Sequence, residues 1–161
     1  MQKFLFFFSI FFPLSIAYAQ PCNIQTKYSN DGFAIKYIPT ETIDSTADLK
    51  CSLGLQYSSR YNYISLSLLF KNAVKRITGD LVVKFTDSST IYVPLTNCNN
   101  INPQNLPLSN CTFLVLDKYV DALKSKTLSA IIIQLADNSF KAIEMKQHPA
   151  ILKNAIVCLN P

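Results

Sequence analysis

His148 is the only histidine in this 161-residue chain, so it is the only imidazole that could act as a general base. A catalytic histidine needs a nucleophile to deprotonate and a carboxylate to orient its ring. The chain contains two Glu, eight Asp and an odd number of cysteines, five in all. One hypothesis is therefore a small secreted hydrolase that uses His148 with a carboxylate or with the odd Cys. The polar neighbours of His148 and the proline that follows it favour a surface or helix-capping histidine instead.

Residue types exclude several kinds of site. The three glycines, Gly32, Gly54 and Gly79, cannot form the G-x-S-x-G motif of α/β hydrolases or a phosphate-binding glycine loop. No Lys follows a Ser by three positions, which removes the S-x-x-K acyl-enzyme arrangement. A glycosidase needs two carboxyls beside a cleft, but turns and helix caps account for most of the Asp residues. A single His excludes a multi-histidine metal site, and we expect no metal and no cofactor.

The first 19 residues are typical of a cleaved signal peptide. Lys3 precedes an apolar run from Phe4 to Ile16, and Ala17-Tyr18-Ala19 has the small-x-small pattern that signal peptidase recognises. The run is shorter than the about 20 apolar residues that span a bilayer. We expect cleavage between Ala19 and Gln20, which leaves one secreted or periplasmic domain over residues 20–161 without a transmembrane span.

All five cysteines follow the expected cleavage site: Cys22, Cys51, Cys98, Cys111 and Cys158. In an exported chain disulfide formation is their default fate. Cys98 and Cys111 bracket a loop-like segment rich in Asn and Pro, which predicts a bond between them. Cys158 would tie down the C-terminus through Cys51 or Cys22, and we favour Cys51. One thiol remains free in either arrangement.

Alternating residues predict a β-hairpin over the region 51–70. One face of the first strand carries Cys51, Leu53, Leu55 and Tyr57. The returning strand places Ile64, Leu66, Leu68 and Phe70 on one face and Tyr61, Tyr63, Ser65 and Ser67 on the other. Tyr57, Tyr61 and Tyr63 form a candidate binding surface, because Tyr combines apolar area with a hydroxyl. The alternative is that these tyrosines cover a sheet edge or pack beneath a helix.

Two later segments resemble each other. Leu81–Leu95 and Ile131–Met145 align when Asp87 is placed on Asp137, and each contains an Asp-x-Ser turn between apolar runs. Asp suits this position because its carboxylate accepts bonds from backbone N–H groups two residues on. Each segment therefore predicts a hairpin, and two independent hairpins explain the similarity more simply than a duplication does.

The remaining segments complete the expected fold. Asp31–Ile38 predicts a strand, and the polar segment Pro39–Ala47 predicts a loop. Asp117–Lys126 and Pro149–Leu159 have helical spacing of apolar residues. Without βαβ alternation, we expect an α+β fold, mainly antiparallel β-hairpins with two short helices packed on one face. A β-sandwich with a peripheral helix is the alternative.

The C-terminal half resembles small exported proteins of unassigned function from Bacteroidota-type bacteria. The resemblance rests on LVVKFTDSSTIYVPL, on FLVLDKYVDALKSKTLSAIIIQLADNSF and on a terminal helix ending Val157-Cys158-Leu159. It covers roughly Gly79–Pro161 and concerns the fold. In such proteins the turns are usually Asp-Gly, whereas here Ser88 and Asn138 follow the aspartates. The resemblance implies no catalytic residue.

The charge of the chain and its expected export indicate which kind of partner it binds. The densest basic stretch, Lys71–Arg76, is interpreted as a solvated loop, because an exported chain with two Arg and a pI near 8.9 does not suit nucleic-acid binding. We expect a non-enzymatic secreted or periplasmic domain that binds or supports another envelope or extracellular protein. A secreted enzyme inhibitor would share these features, as the third alternative beside the hydrolase.

Overall fold

The chain folds into two antiparallel sheets and two short helices. The computed structural model describes residues 22–72, 75–101 and 107–159, so the predicted signal peptide and its Ala19–Gln20 cleavage site lie outside the described residues. The elements are β1 (Gln25–Tyr28), β2 (Ala34–Ser45), β3 (Leu49–Ser58), β4 (Tyr61–Phe70), β5 (Leu81–Phe85), β6 (Thr90–Val93), β7 (Leu95–Ile101), β8 (Leu108–Val115), α1 (Asp117–Ser125), β9 (Leu128–Gln134), β10 (Phe140–Glu144) and α2 (Ile151–Leu159).

The six-stranded sheet has the order β1-β2-β3-β4-β8-β7, and the four-stranded sheet has the order β10-β9-β5-β6. Buried residues from both sheets and both helices form one hydrophobic core, in an open, sandwich-like arrangement. The expectation of antiparallel hairpins with two short helices is confirmed at this level. The packing of two sheets in layers is also the main feature of the alternative prediction, a β-sandwich.

The predicted hairpin around residues 51–70 is confirmed as β3 and β4. Leu53, Leu55 and Ile64 are fully buried on the inner face, whereas Ser52, Gln56 and Ser65 on the outer face are half-buried. Ser58 pairs with Tyr61, and the two residues between them, Ser59 and Arg60, have φ of 50° and 75°. Positive φ at both positions matches the twist that two-residue hairpin turns require.

The prediction of a loop over Pro39–Ala47 is wrong, because β2 continues to Ser45. Register shifts between Ile38 and Glu41 and between Thr42 and Asp44 absorb extra residues in the strand. Strand β1 pairs only with Ala34–Tyr37, so Pro39 lies where β2 forms the sheet edge. A proline is tolerated there because no neighbour needs its missing N–H donor.

The segment around Cys98 and Cys111 also differs from the expected loop. Most of it forms the neighbouring strands β7 and β8, and Cys98 stands directly opposite Cys111 in their register. Alternation along β8 buries Ser109, Cys111 and Phe113 and turns Asn110 and Thr112 outward. The many Asn residues concealed this alternation, because Asn is rare in strands.

The two similar segments form the two hairpins of the four-stranded sheet, as predicted. Hairpins β5–β6 and β9–β10 meet through β5 and β9, where Val82 pairs with its counterpart Ile132. The sheet therefore has an approximate two-fold axis between these two residues. Ser88 and Asn138, which replace the expected glycines, have φ of 67° and 61°. Both turns thus keep the left-handed conformation that favours Gly.

Both helices contribute buried residues to the core. Helix α2 packs against β2, β3 and α1. Its buried stripe consists of Ile151, Leu152, Ala155, Ile156 and Leu159, as the sequence spacing predicts. Within the described ranges, no helix has the length and apolar character needed to cross a membrane.

Candidate functional site

The outer face of the six-stranded sheet, which points away from the core, carries rows of neutral polar side chains. Strand register places Gly54, Ser65, Thr112 and Asn97 in one row across β3, β4, β8 and β7. On one side of it lies a row of Thr42, Ser52, Ser67, Asn110 and Asn99, and on the other a row of Tyr37, Gln56, Tyr63 and Leu114. Residues two apart in a strand share a face, so the three rows are adjacent.

A depression of about 710 Å³ lies over these rows. We call it the polar groove, and define it by its floor (Ser65, Ser67, Asn110 and Thr112), its β7 side (Asn97 and Asn99) and its opposite wall (Gln25, Tyr37, Thr40 and Gln56). The irregular part of β2 forms that wall by passing close over Gly54. A Cβ atom at Gly54 would lie 3.0 Å from the Ile38 carbonyl oxygen and 3.0 Å from Thr40 Cγ2. Any larger residue at this position would need the wall to shift by a few tenths of an ångström, so glycine suits the close approach of wall and floor.

Some polar side chains of the groove form hydrogen bonds with each other. The Ser67 hydroxyl donates to Asn110 Oδ1 at 2.7 Å, and the Tyr37 hydroxyl donates to Gln25 Oε1 at 2.7 Å. Other groove side chains form no hydrogen bond with any described residue, namely Gln56, Ser65, Asn97, Asn99 and Thr112. The groove thus combines fixed polar groups with donors and acceptors that face solvent.

The polar groove is almost uncharged, although the whole chain has a formal net charge of +5. Lys27 is the one charged residue among those that line it, and no carboxylate does. The Lys27 ammonium lies 5.2 Å from the centroid of the Tyr37 ring, at the β1 end of the groove. The lining therefore favours a ligand without strong charge.

The three tyrosines of the predicted binding surface lie on different sides of the sheet. Tyr63 is half-buried on the outer face, and Tyr61, 51% exposed, lies near the β3–β4 turn on the same face. Tyr57 pairs with Asn62 on the inner face and packs against the core. A contact role stays a prediction for these tyrosines; Tyr61 and Tyr63 share the outer face, whereas Tyr57 packs against the core from the inner face.

His148 lies beside Glu41 at a second cavity. The His148 Nδ1 atom is 3.1 Å from Glu41 Oε2, and both side chains are partly exposed. The cavity measures about 410 Å³ and is bounded by α2, β2 and the disulfide near the chain ends. The carboxylate partner that the hydrolase hypothesis requires is thus present. None of the residues lining the cavity carries a hydroxyl or a free thiol, so the pair could act only on water or on a bound proton donor.

The odd cysteine is Cys51, which is fully buried. Burial, and then the nearby negative charge of Asp44, raises the pKa of its thiol to about 12. A thiol of this kind stays protonated at neutral pH and is a poor nucleophile. Burial of Cys51 and its raised pKa argue against the version of the hydrolase hypothesis that pairs His148 with the odd Cys.

The structure contains two disulfides among the described cysteines. Cys98 is bonded to Cys111 across β7 and β8, with Cα atoms 4.0 Å apart. Cys158 is bonded to Cys22, with Cα atoms 5.7 Å apart, and not to Cys51. The expected Cys51–Cys158 bond is thus corrected: Cys51 faces the core from β3, whereas Cys158 is only partly buried on α2. Disulfides are typical of a protein that folds in an oxidising, extracytoplasmic compartment.

The outer face of the four-stranded sheet carries apolar residues that sequence reasoning did not single out. Tyr92 and Phe140 are 57% and 69% exposed. Tyr92 pairs with Val82, and Phe140 pairs with Gln134, two residues along β9 from Ile132. The alternation of residues in both hairpins was the available signal, because it places these apolar residues on the outward face. Val82 and Ile132 are apolar at outward positions of β5 and β9, beside the polar Lys84 and Gln134, whereas a solvent-facing sheet surface is usually polar throughout.

Sequence reasoning also missed the polar groove. Asn97 and Asn99 on β7, and Asn110 and Thr112 on β8, alternate with Cys98 and Cys111 at the period of a strand. That alternation was the available signal, and a loop assignment for the segment hid it. Comparisons with profiles of known protein families, with curated proteins and with solved structures find no match.

Proposed function

We propose that this protein is a secreted or periplasmic, non-enzymatic binding domain of the cell envelope that makes contact through the outer face of its six-stranded sheet. The observation that carries the proposal is the polar groove, which is the largest of the depressions described above. At about 710 Å³ it is within the size range of ligand sites. Its lining presents outward-facing hydrogen-bonding groups, and the exposed Tyr61 lies on the same face of the sheet, outside the lining.

Two independent features support the proposed compartment. The N-terminal segment has the composition and the Ala-x-Ala motif of a signal peptide. The bonds Cys22–Cys158 and Cys98–Cys111 suit an oxidising environment. A binding role in the envelope is consistent with both.

Co-sedimentation with cell envelopes of the source organism tests the proposal. The wild-type protein is expected to sediment with the envelopes, and Thr112→Arg is expected to remain in the supernatant, because the long side chain fills the floor of the groove. Thr90→Arg is the matched control, since Thr90 is an exposed strand residue on the other sheet. Equal sedimentation of all three proteins, or of none, would contradict the proposal.

One observation favours a second candidate function. The His148–Glu41 pair stands beside a cavity of about 410 Å³, and a carboxylate-oriented imidazole can serve as a general base toward water. Hydrolysis of nitrophenyl esters or of short peptides would support a hydrolase if His148→Ala and Glu41→Gln both abolished it. Unchanged turnover in His148→Ala would remove this candidate. An inhibitor function stays a prediction, which a screen of purified secreted enzymes would test.

A further inference from the structure

We propose that the polar groove binds an uncharged oligosaccharide chain laid across the strands. This inference rests on the proposed function and names the class of ligand that the groove takes. Sugars present many hydroxyl groups, each of which both donates and accepts hydrogen bonds. Amide and hydroxyl side chains are the protein groups that match both roles.

The charge of the groove selects a neutral ligand. No carboxylate lines it, and its only ammonium, that of Lys27, lies at one end over the Tyr37 ring. An anionic polymer would find one cation in a site several strands wide. A cationic ligand would find no countercharge in the lining. An uncharged chain needs no countercharge from the lining, so it has neither disadvantage.

The polarity of the groove favours sugar over protein as the occupant. The centre of a protein–protein interface is usually enriched in aromatic residues and depleted in Ser. Here the floor consists of Ser65, Ser67, Asn110 and Thr112, and the Tyr37 ring lines the wall beside the apolar Ile35, Ile38 and Pro39. That pattern suits hydroxyl contacts on the floor and contact between a ring and the apolar face of a sugar at the side.

Existing hydrogen bonds prepare the groove for binding. The Ser67 hydroxyl occupies the Asn110 side-chain oxygen, so the Asn110 amide N–H₂ is left to donate outward. Ser65 and Thr112 are half-buried paired neighbours whose hydroxyls have no protein partner within the described ranges. Water satisfies such groups in the free protein, and ligand hydroxyls can replace that water without loss of hydrogen bonds.

The dimensions of the face suit a chain of several sugar units. The row from Thr42 to Asn99 crosses five strands, from β2 to β7. At about 4.8 Å between strands, this row is roughly 20 Å long. The wall formed by Thr40 and the neighbouring residues of β2 stands at the β2 end of this span.

Calorimetric titration of the purified exported protein with defined oligosaccharides tests the inference. The neutral probes are linear hexamers of glucose in β-1,4 and α-1,4 linkage, of mannose, of xylose and of N-acetylglucosamine. Oligogalacturonate is the acidic comparator. At least one neutral hexamer is expected to bind, and oligogalacturonate is expected to bind more weakly or not at all.

Paired variants locate the binding. Thr112→Val removes a groove hydroxyl with little change in shape and is expected to weaken binding about three- to tenfold, the effect of one hydrogen bond. Thr90→Val makes the same change on the exposed strand β6 and is expected to leave binding unchanged. Equal affinity of Thr112→Val and wild type would place the sugar elsewhere and overturn the inference.

The outcomes separate this inference from the proposed function. If no neutral hexamer binds, or if only oligogalacturonate binds, the ligand class is wrong, even where Thr112→Arg still abolishes envelope sedimentation. If groove variants instead abolish binding of a purified envelope protein, the occupant is a protein and the inference is overturned. If neither envelopes nor sugars bind, both proposals fail together.

Discussion

Cys51 shows how burial decides the chemistry of a single residue. It is the one free thiol among the described cysteines, and its surroundings on β3 and β4 are apolar. Because burial raises its thiol pKa to about 12, we expect no reaction with iodoacetamide in the native protein at pH 8. Intact mass under non-reducing conditions should show no alkyl group before denaturation and one after it, on a chain that starts at Gln20. Alkylation of the native protein would contradict the buried thiol.

Asp87 and Asp137 occupy equivalent positions in two similar turns, but their electrostatic surroundings differ. Each carboxylate accepts a hydrogen bond at 3.0 Å from a backbone N–H, that of Ser89 or of Ser139. Lys126 lies 2.8 Å from Asp87 and forms an ion pair with it. The Lys126 ammonium and the Ser89 donors lower the pKa of Asp87 to about 2, and the Ser139 donors lower that of Asp137.

These shifts predict how stability changes with pH. A carboxylate with a lowered pKa stabilises the folded state above its unfolded pKa of about 4, and this contribution is lost as the pH falls through the folded value. Asp87→Asn should therefore lower Tm at pH 7 and flatten the decline of Tm between about pH 5 and pH 2. Asp137→Asn is the matched control, and its effect should depend less on salt. Equal salt dependence in the two variants would contradict a role for Lys126.

Strand direction, at the scale of the element, separates the three predicted tyrosines. Tyr57 packs on the inner face of β3, whereas Tyr61 projects from the start of β4. Tyr57→Ser should lower the free energy of unfolding by about 1–3 kcal/mol, and Tyr61→Ser by less than about 0.5 kcal/mol. Denaturant titration of both variants measures this difference. A larger loss in Tyr61→Ser than in Tyr57→Ser would reverse the assigned faces.

Elements with strong alternation could be predicted from the sequence. Leucines and isoleucines at every second position specified β3 and β4, and the Asp-x-Ser turns specified the two hairpins of the other sheet. Strand β2 could not be predicted past Pro39, because its bulges break the period-two pattern that identifies a strand. Strand β7 was missed because its outward positions are Asn, which local preference assigns to turns.

For the same reason, only part of the candidate site could be predicted from the sequence. Ser65 and Ser67 belonged to a predicted outward face, but Asn110, Thr112 and Asn97 join them only through pairing of β4 with β8 and of β8 with β7. Pairing between distant strands depends on the whole sheet and not on local sequence. The proximity of Glu41 to His148 likewise depends on the position of α2 against β2.

At the scale of the whole molecule, the two disulfides should stabilise to different degrees. The bond Cys22–Cys158 closes a loop with a sequence separation of 136 residues, whereas Cys98–Cys111 has a separation of 13. By loop-closure entropy, the first contributes about 5 kcal/mol and the second about 3 kcal/mol.

Double Cys→Ser variants measure this difference by denaturant unfolding. Cys22→Ser/Cys158→Ser should be the less stable variant, because it frees both ends of the described chain. The control is Cys98→Ser/Cys111→Ser, in which β7 and β8 keep their backbone pairing. A greater loss of stability in the control would contradict the entropic account of these bonds.

The central claim is that the outer face of the six-stranded sheet binds a ligand, and side-chain amide NMR tests this claim most directly. The soluble carbohydrate fraction of hydrolysed envelopes would be added to the labelled protein. We expect the side-chain N–H₂ signals of Gln56, Asn97, Asn99 and Asn110 to shift together, while those of Asn138 and Gln147 stay in place. Unchanged groove signals, or shifts confined to Gln147 and Asn154 beside His148, would contradict the account.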